Sequence, residues 1–148
     1  MRKHRVAAVA ALAVWAALCG CFGTIDYKYT YDPAANFSGQ KTYEWVTQPS
    51  YSTPHAPLQD YVLFTADRAL EAKGWKKVSD QPELLFAVDL DFDTYDGYQL
   101  RGVTLRASRR DTGVSVWRGS ALGKIDGSAT SPDLQDAVNK ILSTFPPK

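Results

Sequence analysis

The sequence predicts an α+β domain in which two amphipathic helices pack on one face of a mostly antiparallel sheet of four to six strands. Three observations carry that expectation. Several segments alternate apolar and polar residues with a period of two, as a half-buried strand does. Two others, over residues 58–73 and 132–145, repeat apolar residues at three- and four-residue steps, as an amphipathic helix does. A strand, turn, strand order around Asp111-Thr112-Gly113 reads as a hairpin. A chain of 148 residues has room for one such domain, and 45% hydrophobic with 22% charged residues excludes wholesale disorder, collagen and coiled coil.

The first 20 residues stand apart from the rest. Arg2, Lys3 and Arg5 precede the apolar run Val6–Leu18, and the small residue Gly20 comes just before Cys21. A basic end, an apolar middle and a small-residue processing site are the plan of a secretory signal. The 13 apolar residues of that run cover about 20 Å at helical rise, short of the roughly 30 Å hydrocarbon core, so a membrane span is too short. Residues 1–20 are therefore expected to be a cleaved signal peptide, with residues 21–148 as the mature domain.

Leu18-Cys19-Gly20-Cys21 resembles the bacterial lipobox, with Cys19 where Ala or Ser is usual. That resemblance implies cleavage before Cys21 and attachment of palmitate-type acyl chains to it. A Cys19–Cys21 metal or redox pair is the rival reading, and processing between the two would separate their sulfurs. No thiol follows Cys21, so the exported domain forms no internal disulfide and has no thiol nucleophile. Each buried methylene contributes about 0.8 kcal/mol, and several chains on one cysteine anchor stably where one holds only reversibly. In Gram-negative lipoproteins an Asp directly after the lipidated Cys is associated with inner-membrane retention. Phe22 and Gly23 follow here, which implies the outer membrane, facing the periplasm. The formal charge of +1 hides this division, because loss of Arg2, Lys3 and Arg5 takes 17 basic residues to 14 against 16 acidic ones, a net −2. Without clustered Lys and Arg there is no electrostatic footprint for nucleic acid.

Within the mature chain, Thr24–Tyr31 sets Ile25, Tyr27, Tyr29 and Tyr31 against Asp26, Lys28 and Thr30, the pattern of a strand with one buried face. Asp32-Pro33 turns the chain, and Tyr43 and Trp45 within Lys41–Val46 lie at strand spacing, which predicts a partner for the first strand. Thr47–Pro57, rich in Pro, Ser and Thr, reads as an exposed loop. Leu58–Lys73 is the first helix, through Leu58, Val62, Ala66, Ala69 and Leu70, with Gly74 as its stop. Phe64 falls on its opposite side near Asp60, Asp67 and Glu71, either packed against a loop or placed for a partner. Trp75–Val78 is a short strand, and Leu84–Asp93 a longer one, apolar at first and then alternating Val88, Leu90 and Phe92 with Asp89, Asp91 and Asp93. Val103–Ser108 and Val114–Ala121 form the hairpin. Ser131 as N-cap, Pro132 at the first helical position and Asp133 at the positive dipole end open the last helix. Leu134, Ala137, Val138, Ile141, Leu142 and Phe145 form its stripe, and Pro146-Pro147 ends it.

Chemistry-bearing constellations are sparse. Asp89, Asp91, Asp93, Asp96 and Gly97 imitate the start of a calcium loop, but Thr94 stands where such a loop needs Gly and Leu100 where it needs a bidentate Glu. The residues fit an exposed strand face, its charges offset by Arg106 or a neighbouring basic group. His55 is the sole histidine of the mature chain, and its place between Pro54 and Pro57 is a poor one for a catalytic base. One His and an acylated Cys do not make a zinc site, and no Gly-rich phosphate loop is present. Metal and cofactor sites are therefore not expected. Among Tyr27, Tyr29, Tyr31, Phe37, Tyr43, Trp45, Trp75 and Trp117 most should be core, and any lining an exposed groove would suit a peptide, glycan or protein partner.

Several segments resemble a bacterial lipoprotein family known as domain of unknown function 4136. They are Asp32-Pro33 with Phe37-Ser38 and Lys41-Thr42-Tyr43-Glu44-Trp45; Leu70 to Lys73-Gly74-Trp75; Glu83-Leu84-Leu85; Asp111-Thr112-Gly113 leading to Val116-Trp117-Arg118-Gly119; and Ala137-Val138-Asn139-Lys140-Ile141-Leu142 ending at Phe145-Pro146-Pro147. Pro82-Glu83 replaces the Ala-Asp pair common there. The resemblance implies an envelope lipoprotein domain and brings no catalytic residues with it. The expectation is a non-enzymatic binding or assembly module, held to the membrane by lipid on Cys21 and facing an envelope protein partner. The alternative is an envelope enzyme using Asp89 and Asp91 in acid/base or metal-assisted hydrolysis.

Overall fold

A computed structural model describes residues 23–39, 41–46, 55–95 and 99–148; residues 1–20, expected to be a signal peptide, and Cys21 lie outside them. The elements are β1 (Asp26–Tyr31), β2 (Thr42–Trp45), α1 (Ala56–Ala72), β3 (Lys76–Lys77), β4 (Leu84–Asp93), β5 (Gln99–Arg109), β6 (Ser115–Leu122) and α2 (Pro132–Leu142). They build a six-stranded sheet in the order β1-β6-β5-β4-β2-β3, mixed but mostly antiparallel, with both helices packed against it. The expected fold class is the observed one.

The partner of the first strand differs from expectation. β1 pairs only with β6, antiparallel, while β2 runs parallel between β4 and β3. Parallel neighbours need a long crossover, and α1 supplies it between β2 and β3. β5 also begins earlier than predicted, at Gln99, because Gly102 interrupts the alternation that would have marked its start.

The helix-side face of the sheet gives Leu84, Phe86, Val88 and Leu90 from β4, Val103, Leu105 and Ala107 from β5, and Trp117 and Ala121 from β6. Against it lie Leu58, Val62, Ala66 and Leu70 of α1 and the predicted stripe of α2. Gly119 lets α2 approach, since a Cβ there would sit 2.7 Å from Ile141 Cγ2 and 2.7 Å from the Trp117 ring. α1 begins at Ala56 rather than Leu58, because Pro57 occupies one of the first helical positions, where its missing N–H has no intrahelical partner to lose.

α1 ends as predicted at Gly74, which adopts φ +83°. Gly74 N–H donates to Glu71 O at 2.9 Å and Trp75 N–H to Leu70 O at 3.1 Å, the paired bonds of a Schellman cap. Nothing lies within 4 Å of a Cβ placed at Gly74, so a substitution there acts on backbone conformation alone. Gly74→Ala is expected to cost about 1–2 kcal/mol in urea unfolding, and an unchanged midpoint would contradict the cap.

At α2, Ser131 holds the N-cap position with extended backbone, yet its hydroxyl makes no cap bond and is buried without a partner among the described residues. The helix also stops three residues short of Phe145. Ser143 Oγ donates to Lys140 O at 2.7 Å and Thr144 Oγ1 to Ile141 O at 2.8 Å, meeting the last carbonyls and closing the final turn. Phe145 is swung into the aromatic centre of the core from beyond the helix.

Candidate interaction surface

β1 is the sheet's open edge, and its register decides which backbone groups are free. Asp32 N–H donates to Val116 O at 3.0 Å, and pairing continues as Thr30 opposite Arg118, Lys28 opposite Ser120 and Asp26 opposite Leu122. Antiparallel bonding alternates, so these residues turn their N–H and C=O toward β6 while those of Tyr27, Tyr29 and Tyr31 point outward. The opposite edge, β3, is only Lys76–Lys77, short, charged and exposed, which discourages strand addition.

The same three tyrosines face the helix side. Tyr27 is half-covered by α2, with Lys140 Nζ 4.6 Å from its ring centroid; burial, then the Asp136 and Asp133 carboxylates, holds its hydroxyl pKa above the ordinary value. Tyr29 and Tyr31 lie beyond α2 and remain 55% and 44% exposed, whereas a strand with one buried face was expected. Their rings stand nearly parallel, at 11° with centroids 6.4 Å apart. With Pro146, Pro147 and Lys148 they line a groove of about 300 Å³. A row of unpaired peptide groups beside two aromatic faces and two prolines suits an extended peptide: strand addition supplies the backbone bonds and the rings bury alternate side chains.

The other aromatics sort by position. Tyr43, Trp75, Trp117, Phe86 and Phe145 are core, while Trp45 and Phe37 are partly buried. Asp67, placed by its sequence on the polar side of α1, proves to be a polar junction. Its Oδ1 accepts from Tyr43 Oη and Trp45 Nε1, both at 2.7 Å, and its Oδ2 from Lys77 Nζ at 3.0 Å. Burial, then the bond to Asp67, holds the Tyr43 hydroxyl pKa well above its ordinary value. Because the value is raised in the fold, the Tyr43 hydroxyl costs stability only in alkaline solution above about pH 10, where the unfolded chain's tyrosine ionises. Asp67 thus ties α1 to β2 and β3, with three donors on its two carboxylate oxygens.

The acidic run lies on the sheet face away from the helices. Asp89 pairs with Arg106 at 3.1 Å, as the sequence anticipated, and Asp93 with Arg101 at 3.2 Å; Asp91 is exposed and Asp96 lies outside the described residues. Nearby, the Thr104 and Ser120 hydroxyls bond at 2.9 Å. Among the described residues no three His, Cys, Asp or Glu side chains gather as a metal site. His55 is not on a loop but at the N-cap of α1, its ring stacked on Phe92 at 4.0 Å. Phe64 is 57% exposed beside the groove between α1 and α2, with the Arg68 guanidinium 5.7 Å from its ring centroid.

A family model described as "Domain of unknown function (DUF4136)" matches residues 27–147, and the chain belongs to that family. No curated protein matches the sequence. Among solved structures, a PDZ domain protein from Parabacteroides distasonis is similar with TM-score 0.64 and 13% identity over 85% of this chain; the match spans 36% of that protein's chain. Two structures of PelC dodecamers from Paraburkholderia phytofirmans are similar with TM-scores of 0.52 and 0.53 and 21% and 20% identity, each over 82% of this chain and 95% of theirs. At these identities the likeness is one of fold.

Proposed function

We propose that this member of the DUF4136 family is a lipid-anchored, non-enzymatic module of the cell envelope. In this reading Cys21 carries the anchor, the domain faces the periplasm from the outer membrane, and β1 is the edge along which an envelope protein adds an extended strand. The observation that carries it is the outward backbone row of Tyr27, Tyr29 and Tyr31 beside two exposed, parallel rings. That a similar fold occurs in dodecameric PelC supports assembly as the use of such an edge. Acid/base work by Asp89 and Asp91 is disfavoured by their setting, one paired with Arg106 and the other exposed on an open strand face.

The register supplies a sharp test. The Tyr29 N–H faces away from β6, so Tyr29→Pro removes a free donor and a ring without breaking the internal ladder, whereas Thr30→Pro removes a β1–β6 bond. Crosslinking in intact cells is expected to recover a defined partner with the native chain and to lose it with Tyr29→Pro, while the purified variant keeps its melting temperature to within a few degrees. Undiminished crosslinking by a folded Tyr29→Pro chain would contradict the assignment.

A further inference from the structure

Lipidation of Cys21 has a geometric consequence for the far side of the sheet. Ile25 packs against the core, so only Phe22, Gly23 and Thr24 separate the anchor from the fixed fold. The four Cα-to-Cα steps from Cys21 to Ile25 reach at most about 14 Å. Whichever end of the sheet carries Ile25 must therefore lie close to the bilayer. Register identifies that end: Asp26 is level with Leu122, Leu122 with Gly102, and Gly102 with Asp91. β4 runs toward it and continues to Asp93, and Tyr95 follows. At about 3.3 Å per residue the chain carries Tyr95 roughly 10 Å past the level of Asp26, a distance comparable with the tether. Tyr95 is 101% exposed, the most exposed large hydrophobic side chain among the described residues. Its backbone N–H is held by Asp93 Oδ1 at 3.0 Å, which fixes the turn that presents it.

We propose that Tyr95 is a second membrane contact, its ring seated in the headgroup region of the leaflet that holds the lipids of Cys21. The inference rests on the lipid anchor and goes beyond it, because a tether alone leaves the domain free to tumble and a second contact fixes which end faces the membrane. Tyrosine suits that layer, with an apolar ring for the acyl boundary and a hydroxyl for the wet side. Asp93 is paired with Arg101 and Asp26 with Lys28, and the contact is expected to rest on the Tyr95 ring rather than on charge. The β5–β6 turn at Thr112 and the Tyr31 end of β1 then point away from the bilayer, where a partner can reach them.

The test uses the full, acylated chain, in which acylation blocks Cys21 and an introduced cysteine is the only free thiol. A fluorophore is placed at Thr94→Cys, beside an intact Tyr95, or at Thr112→Cys as the distal control. The protein is reconstituted into phosphatidylethanolamine and phosphatidylglycerol vesicles containing brominated acyl chains. The expected result is quenching at position 94 at least twofold greater than at position 112, lost on adding Tyr95→Asp and unchanged in high salt. Equal quenching at the two positions on a chain shown by mass spectrometry to be acylated overturns the docking and leaves the anchor standing. A chain without acyl groups overturns both. Protection of position 94 by a crosslinked protein instead of lipid also overturns the docking.

Discussion

Phe145→Ala is expected to lower the unfolding free energy by about 3–5 kcal/mol, the usual cost of emptying a large aromatic site in a close-packed core. Phe145 is fully buried, and its ring centroid lies 5.1 Å from those of both Trp75 and Trp117, 5.2 Å from Phe86 and 5.5 Å from Phe37. These neighbours come from the segment after β1, the residue just before β3, and strands β4 and β6. Truncation therefore withdraws contacts from most of the fold at once, and rigid rings refill the space poorly. Phe64→Ala removes the same side chain from an exposed site and is expected to change stability by no more than about 0.5 kcal/mol. Urea unfolding of the two variants checks the pair; similar costs at both positions would mean that Phe145 is not the centre of the core.

Cys21→Ser is expected to move the protein from the membrane pellet to the soluble periplasmic fraction, a change of more than about tenfold in partition because stable anchoring needs several acyl chains and none can form on serine. The folded domain should not notice, since the family match begins at residue 27 and, among the described residues, Ile25 is the first that packs against the core. An unchanged melting temperature together with release is the predicted combination. Retention of the variant in the pellet would show that something other than lipid on Cys21 holds the chain there.

Much of the fold was legible in the sequence because its signals are local. The 3.6-residue stripe of α2, Gly74 as a stop and the Asp111-Thr112-Gly113 turn each act within a few residues, and each lies where expected. Strand pairing is not local. β1 meets β6 across some ninety residues, and the alternation of Thr24–Tyr31 reads the same whether a strand is central or at an edge, so neither the partner of β1 nor the exposure of Tyr29 and Tyr31 could be read from it. Asp67 was hidden for a related reason: its donors Tyr43, Trp45 and Lys77 come from β2 and β3, and a helical wheel of α1 contains none of them. Phe145 stands between these cases. Its spacing marked it as core, while the hydroxyls of Ser143 and Thr144 that end the helix before it gave no such warning.

The most direct test of the whole account is the intact mass of the mature protein purified from envelope membranes. A polypeptide beginning at Cys21 and heavier than its sequence by the mass of several fatty acyl groups is the predicted result. A chain that starts at any other residue, or that carries no acyl group, would contradict it.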